Sequence, residues 1–183
     1  MKKFALAAVA VSLISTPAFA ASEDSKDFDI NARVTPECSM ENPTNIDLGS
    51  LAIDRDPGQG ALLLTETTKS DTQRVWVSCN YTTNISITTD NRGLKTASPV
   101  TDTTNFTNLI RYGVQFSPVT AGSFNGSTSW KPRVQQRVTT WAQTKEFHDQ
   151  AEISVQLEEL NVNDKRPVAG DYTDTVYITL GAV

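Results

Sequence analysis

Residues 173–180 read Thr-Asp-Thr-Val-Tyr-Ile-Thr-Leu. Val176, Ile178 and Leu180 share one parity, and Thr175, Tyr177 and Thr179 the other. Successive side chains of a strand point to opposite faces, so this stretch predicts a strand with one apolar and one solvated face. The same period-2 reading extends outward along the chain. In residues 72–79, Val75 and Val77 alternate with Trp76 and Ser78, which turns Trp76 outward. Ile85 and Ile87 alternate within 81–89, closed by the turn cluster Asp90-Asn91-Arg92-Gly93. Ile110, Tyr112, Val114 and Phe116 alternate within 109–116, before Pro118. Ile153, Val155 and Leu157 alternate within 151–160, and 134–141 is rich in Val and Thr. Weaker candidates are 45–51, with Ile46, Leu48 and Leu51 apolar, and 61–67. Residues 54–60 read as a loop from their Pro and Gly, and Asn125-Gly126 is a two-residue hairpin signal. About eight short strands, little helical periodicity and abundant Thr, Ser, Asn and Val predict an all-β chain folded as a sandwich.

The N-terminus reads differently. Lys2 and Lys3 precede an apolar run from Phe4 to Ile14, and Ala18-Phe19-Ala20 fits a cleavage site, so residues 1–20 are expected to be an export signal. The run is too short to span a bilayer. Cleavage leaves 163 of the 183 residues, enough for one domain with a real core, and moves the formal charge from −5 to −7. A net acidic chain of this kind is a poor partner for nucleic acid. The one locally basic stretch, Lys131, Arg133 and Arg137, reads as a solvated strand face. Residues 21–27 are polar, and Phe28, Ile30, Ala32 and Val34 then alternate with Asp29, Asn31, Arg33 and Thr35 until Pro36 stops the pattern. From the residues alone, that strand simply pairs within its own domain. Cys38 and Cys79 are the two cysteines, and in an exported chain an even count argues for a disulfide. Closing a loop of about 40 residues is worth about 3–4 kcal/mol in the chain-entropy account.

No enzymatic constellation emerges. There is no nucleophile elbow, no phosphate-binding glycine loop and no dinucleotide fingerprint. His148 is the only histidine, in the polar stretch 146–149, so neither a multi-histidine metal site nor a Cys–His pair is expected, and no cofactor. The acidic pair in 54–60 lacks the ligand spacing of a calcium loop. Glu158 and Glu159 are adjacent and would face opposite sides of a strand. Asp171 and Asp174 suit turn chemistry, and the sequons at Asn80, Asn84, Asn105 and Asn125 carry no weight in a bacterial-type export context. Trp76, Trp130 and Trp141 leave a second function open, a secreted monomeric sandwich that stacks on carbohydrate.

Six segments stand in a recognisable order: DINARVTPEC at 29–38, IDLGSL at 46–51, VWVSCN at 75–80, NISITTDNRG at 84–93, LIRYGVQF at 109–116 and AGDYTDTVYITL at 169–180. The chain resembles the spore coat protein U domain and the related archaic chaperone–usher pilus subunits over nearly all of its mature length. The resemblance implies an immunoglobulin-like sandwich lacking its last strand, with a periplasmic chaperone and then a neighbouring subunit supplying one. It implies residues 21–35 as a donor extension carrying Phe28, Ile30, Ala32 and Val34, and residues 36–183 as the sandwich. Val176, Ile178 and Leu180 would line the acceptor groove. The implied partners are the chaperone, an outer-membrane usher and copies of the same subunit. The implied product is a surface pilus serving adhesion or biofilm formation.

Overall fold

A computed structural model describes residues 24–66, 69–130, 138–158 and 164–181. Residues 1–20, the basic stretch 131–137, Glu159 and the expected strand end at Leu160 lie outside them. The strands are β1 (Cys38–Met40), β2 (Ser70–Cys79), β3 (Asn84–Thr89), β4 (Leu94–Lys95), β5 (Phe106–Thr107), β6 (Leu109–Ile110), β7 (Tyr112–Pro118), β8 (Ser127–Trp130), β9 (Val138–Ala142), β10 (Phe147–Leu157), β11 (Arg166–Pro167) and β12 (Val176–Leu180). None of the described residues is helical, and no helix among them is long and apolar enough to cross a membrane.

Two sheets carry the fold. One has the order β1-β2-β10-β7-β8 and the other β12-β3-β9. Within both, every neighbouring pair is antiparallel. The alternation seen in the sequence sets which face meets the core. Val75 and Val77 of β2, Ala151, Ile153 and Val155 of β10, and Val114 and Phe116 of β7 are buried against Ile85 and Ile87 of β3. Phe124, on the connection after β7, stacks obliquely on Phe116 and Phe147 at centroid distances of 5.7 and 5.2 Å and closes one end of the core. Trp76 faces outward as expected, 48% exposed, and lies parallel to the ring of His148 at 5.0 Å. The chain is therefore an all-β sandwich.

The expected elements differ from the observed ones where a pattern lacks a backbone partner. Residues 45–51 alternate but form no strand, and the described residues of 61–67 contribute only the single bridge Leu64 to Ile53. Asn125-Gly126 does not make a two-residue hairpin, because β7 ends at Pro118 and β8 begins at Ser127. Gly126 is instead a close-approach glycine, since a Cβ there would fall 2.5 Å from the Phe116 carbonyl oxygen. β10 starts at Phe147, earlier than the apolar alternation suggested.

The chain separates into two compact units, residues 1–34 and 35–183. In the described part of the first, residues 24–34, no strand forms, and Phe28, Ile30 and Val34 are each more than 80% exposed. The buried face expected for 28–34 is absent in this single chain.

Candidate functional site: an apolar cleft along the last strand

β12 has one hydrogen-bonded neighbour among the described residues, β3. Its inward residues pair with the most buried positions of the molecule: Ile178 opposite Ile87, and Leu180 opposite Ile85. Yet Val176, Ile178 and Leu180 are themselves only half-buried. The reason is a cleft of about 1310 Å³ that runs along β12. Segment 43–53 forms its other wall and presents Ile46, Leu48 and Leu51, also half-buried. Leu64, Tyr112, Val114, Ile153 and Val155 form the floor. Val176 and Ile178 line the cleft, and Leu180 packs on the core at the strand's end.

The wall opposite β12 is not held by a strand ladder. Beyond the backbone bridge between Ile53 and Leu64 at its end, side chains hold it. The Gln73 amide accepts from the Thr44 N–H at 2.7 Å and donates to the Thr44 carbonyl at 2.8 Å. Lys69 donates to the Ser50 carbonyl at 2.8 Å. Arg166 donates to the carbonyls of Ala61 and Gln59 at 2.7 and 2.6 Å, fixing the loop that follows. The alternating apolar residues of 46–51 thus face the cleft without their backbone being used up in a sheet.

β12 is positioned by Asp174. Its carboxylate accepts from the N–H groups of Asn91, Gly93 and Thr175 and from the Tyr112 hydroxyl at 2.8 Å. This ties the start of β12 to the turn after β3 and to β7. Burial, and then the adjacent Asp174 carboxylate, push the Tyr112 phenol far above its ordinary range, so it remains a neutral donor. Tyr172 on the same wall donates to the Val168 carbonyl at 2.7 Å, and burial raises its phenol as well. The local turn role expected of Asp174 is not what the structure shows: it holds the distant turn after β3 and the Tyr112 hydroxyl, partners that carried no signal in the sequence.

Cys38 and Cys79 form the expected disulfide, closing a 41-residue separation between β1 and β2. The tryptophans do not gather into one platform. Trp76 stands on the outer face of the five-stranded sheet, Trp141 is partly buried against the core, and nothing is described of the Trp130 side chain. No cluster of three or more His, Cys, Asp or Glu residues that could hold a metal occurs among the described residues. The cleft offers apolar surface beside a strand that has a single bonded neighbour among the described residues.

No curated protein matches the chain. Against known families, residues 24–179 match the Spore Coat Protein U domain, which covers both the cleft and the extension before it. The chain belongs to the spore coat protein U domain family, the domain of archaic chaperone–usher pilus subunits.

Proposed function

We propose that this protein is a structural subunit of a surface pilus, assembled head-to-tail by donor-strand exchange, and not an enzyme. The observation that carries the reading is the cleft along β12. It is lined on both walls by apolar residues that the sandwich leaves half-exposed. Exposed edge backbone beside exposed apolar surface is an aggregation hazard unless a strand fills it. Residues 28–34 have the matching chemistry. Phe28, Ile30, Ala32 and Val34 fall on one face of an extended chain of seven residues, about 23 Å long. In this reading they enter the cleft of the next subunit and contact Val176 and Ile178 on one side and Ile46 and Leu48 on the other, while Leu180 supports the far end.

Before assembly, a periplasmic chaperone lends the strand. An outer-membrane usher then exchanges it for a neighbour's extension. Residues 1–20 direct export, 21–35 form the donor, and 36–183 form the acceptor sandwich. In this reading the fibre serves attachment or biofilm growth. The family is one of exported surface pilus subunits, which agrees with the leader read from the sequence.

The test is to express the mature chain in a periplasm, alone and with a chaperone from the same genome, and to size the products. Heat- and SDS-resistant ladders from the chain alone, replaced by a 1:1 complex with the chaperone, are expected. Deleting residues 21–34 should abolish the ladders and leave the chaperone complex intact. A stable monomer in every case would overturn the reading and redirect attention to carbohydrate binding at the exposed Trp76.

A further inference from the structure

An extension that fits its neighbour's cleft also fits its own, so something must choose between the two. Residues 35–44 bear on that choice. Cys38 lies opposite Cys79 and Met40 opposite Val77. Continued outward, this register puts Glu37 opposite Asn80, Glu41 opposite Trp76 and Thr44 opposite Gln73. All three pairings are bonded. Asn80 N–H donates to the Glu37 carbonyl at 3.1 Å, and Glu41 N–H to the Trp76 carbonyl at 2.9 Å. Thr44 is held by the Gln73 amide. β1 is short as a ladder, yet the chain follows the edge of β2 in one register across all of these positions.

At the N-terminal end of this run the Asn80 side chain acts as a clamp. Its Oδ1 accepts from the Glu37 N–H at 2.8 Å, and its Nδ2 donates to the Thr35 carbonyl at 2.9 Å. One amide therefore reproduces the donor and acceptor of a missing strand residue, on either side of Pro36. Pro36 fixes its own φ and disfavours the helical region for Thr35, so the backbone here is already stiff and extended. The disulfide one residue away on each strand holds the same end. Both bonds are made with Thr35–Glu37 extended, so a turn of the backbone at these residues would break them. That the pairing is a device rather than an accident of composition is supported by its recurrence. Gln143 makes the same two-way pairing with the backbone of Asn125, at 2.7 Å in each direction, on a different part of the fold.

We propose that Asn80 is a positioning residue that keeps Thr35–Glu37, the root of the N-terminal extension, extended and bonded beside β2, and so favours capture of the extension by another subunit over filling of its own cleft. The inference rests on the donor-strand reading above. It names the feature that decides between a polymer and a self-filled monomer.

The test compares wild type with Asn80→Ala, Asn80→Asp and Gln143→Ala in the mature chain expressed without chaperone. The readout is the ratio of SDS-resistant monomer to SDS-resistant ladder. A self-filled monomer is recognised by losing its SDS resistance when residues 28–34 are deleted from the same variant. Asn80→Ala loses both bonds and should raise the ratio about tenfold. Asn80→Asp keeps the acceptor for Glu37 and should give a smaller rise. Gln143→Ala removes an equivalent clamp elsewhere and should leave the ratio unchanged. A merely structural role for Asn80 would lower the yield of every species without moving the ratio. If Asn80→Ala proves too unstable to isolate, Asn80→Asp carries the comparison. Unchanged ratios in both Asn80 variants, with wild type still forming ladders, would overturn this inference alone. Wild type that forms no ladder at all would overturn the donor-strand reading beneath it.

Discussion

β3 and β12 lie side by side with the same sequence pattern and opposite fates. Ile85 and Ile87 are fully buried, while their cross-strand partners Leu180 and Ile178 are only half-buried, Ile178 at the wall of the cleft. The residue types do not explain the difference. β3 has a bonded strand on each side, β12 and β9, and the five-stranded sheet packed over it, whereas among the described residues β12 has only β3 and a cleft. Alternation specifies the face a residue turns to the core, and the number of neighbours decides whether that face is covered. In this molecule the uncovered face is the one the proposed function needs.

The contrast can be broken most directly by truncation. Ile87→Ala should cost about 2–5 kcal/mol, because the removed atoms leave a closed cavity. Ile178→Ala should cost about 1 kcal/mol, because its side chain is half in solvent already and no sealed void forms. Urea unfolding of the mature chain deleted for residues 21–34 and released from its chaperone measures both. Equal losses would mean that the cleft is closed in solution. In the full mature chain, Ile178→Ala should instead weaken ladder formation, the property that Ile87→Ala touches only through stability.

The two edges flanking the cleft differ in a second way. The β1 edge is stapled by the Cys38–Cys79 bond, and the β12 edge by none. Replacing both cysteines with serine should destabilise the domain by about 3–4 kcal/mol, the entropy of the loop they close. The loss should be largest for hydrogen-exchange protection along β1 and β2 and smaller along β12. Uniform loss would show that the disulfide supports the whole sandwich and not one edge.

How much of this was legible beforehand follows from the same distinction. β12, β3, β7 and most of β2 and β10 could be read from period-2 alternation, because both their apolar face and their bonded partners exist. Residues 45–51 carry the same alternation, which predicts a strand. They form none, because Ile46 and Leu48 mark a face toward the cleft and say nothing of a backbone partner. Residues 28–34 mislead in the same way within a single chain. The opposite error occurred at Phe147–Gln150, where polar residues hid the first turn of the ladder in β10. Asp149 faces inward there and is satisfied by a loop about 30 residues away in sequence, which no local pattern reveals. The clamps made by Gln73 and Asn80 are of the same kind, since an amide on a strand looks like solvated surface until its partner is placed. Val176 and Ile178 on one wall, and Ile46, Leu48 and Leu51 on the other, carried an apolar pattern in the sequence, but that the two stretches face one another across a cleft did not.

Asp174 gives a smaller test of what positions β12. Asp174→Ala removes the acceptor for three backbone N–H groups and the Tyr112 hydroxyl, and should cost about 2 kcal/mol. Tyr112→Phe removes one of those bonds and should cost about 1 kcal/mol. The double variant should lose less than the two single losses combined, since the groups share one network. Additive losses in urea unfolding would separate the Tyr112 contact from the placing of the strand.

The smallest effect expected is a pH dependence on the side of the fold away from the cleft. Asp149 is buried among groups that donate to it. The Ser123 hydroxyl at 2.6 Å, with the Thr120 and Gln150 N–H groups and the Thr120 hydroxyl, holds its carboxyl below the ordinary range against the opposing pull of burial. The folded pKa therefore lies below the unfolded one. The stabilisation is fully present above the unfolded value of about 4 and fades as pH falls through the folded value. Asp149→Asn cannot titrate, so the gap in unfolding midpoint between it and wild type should be constant from pH 5 to pH 8 and shrink below about pH 4. Cleft variants such as Ile178→Ala should show no such window, because β12 carries no carboxylate. A gap for Asp149→Asn that stayed constant down to about pH 2 would mean that the loop at 119–123 holds its shape without the charge, and that the covered end of the sandwich is built from packing alone.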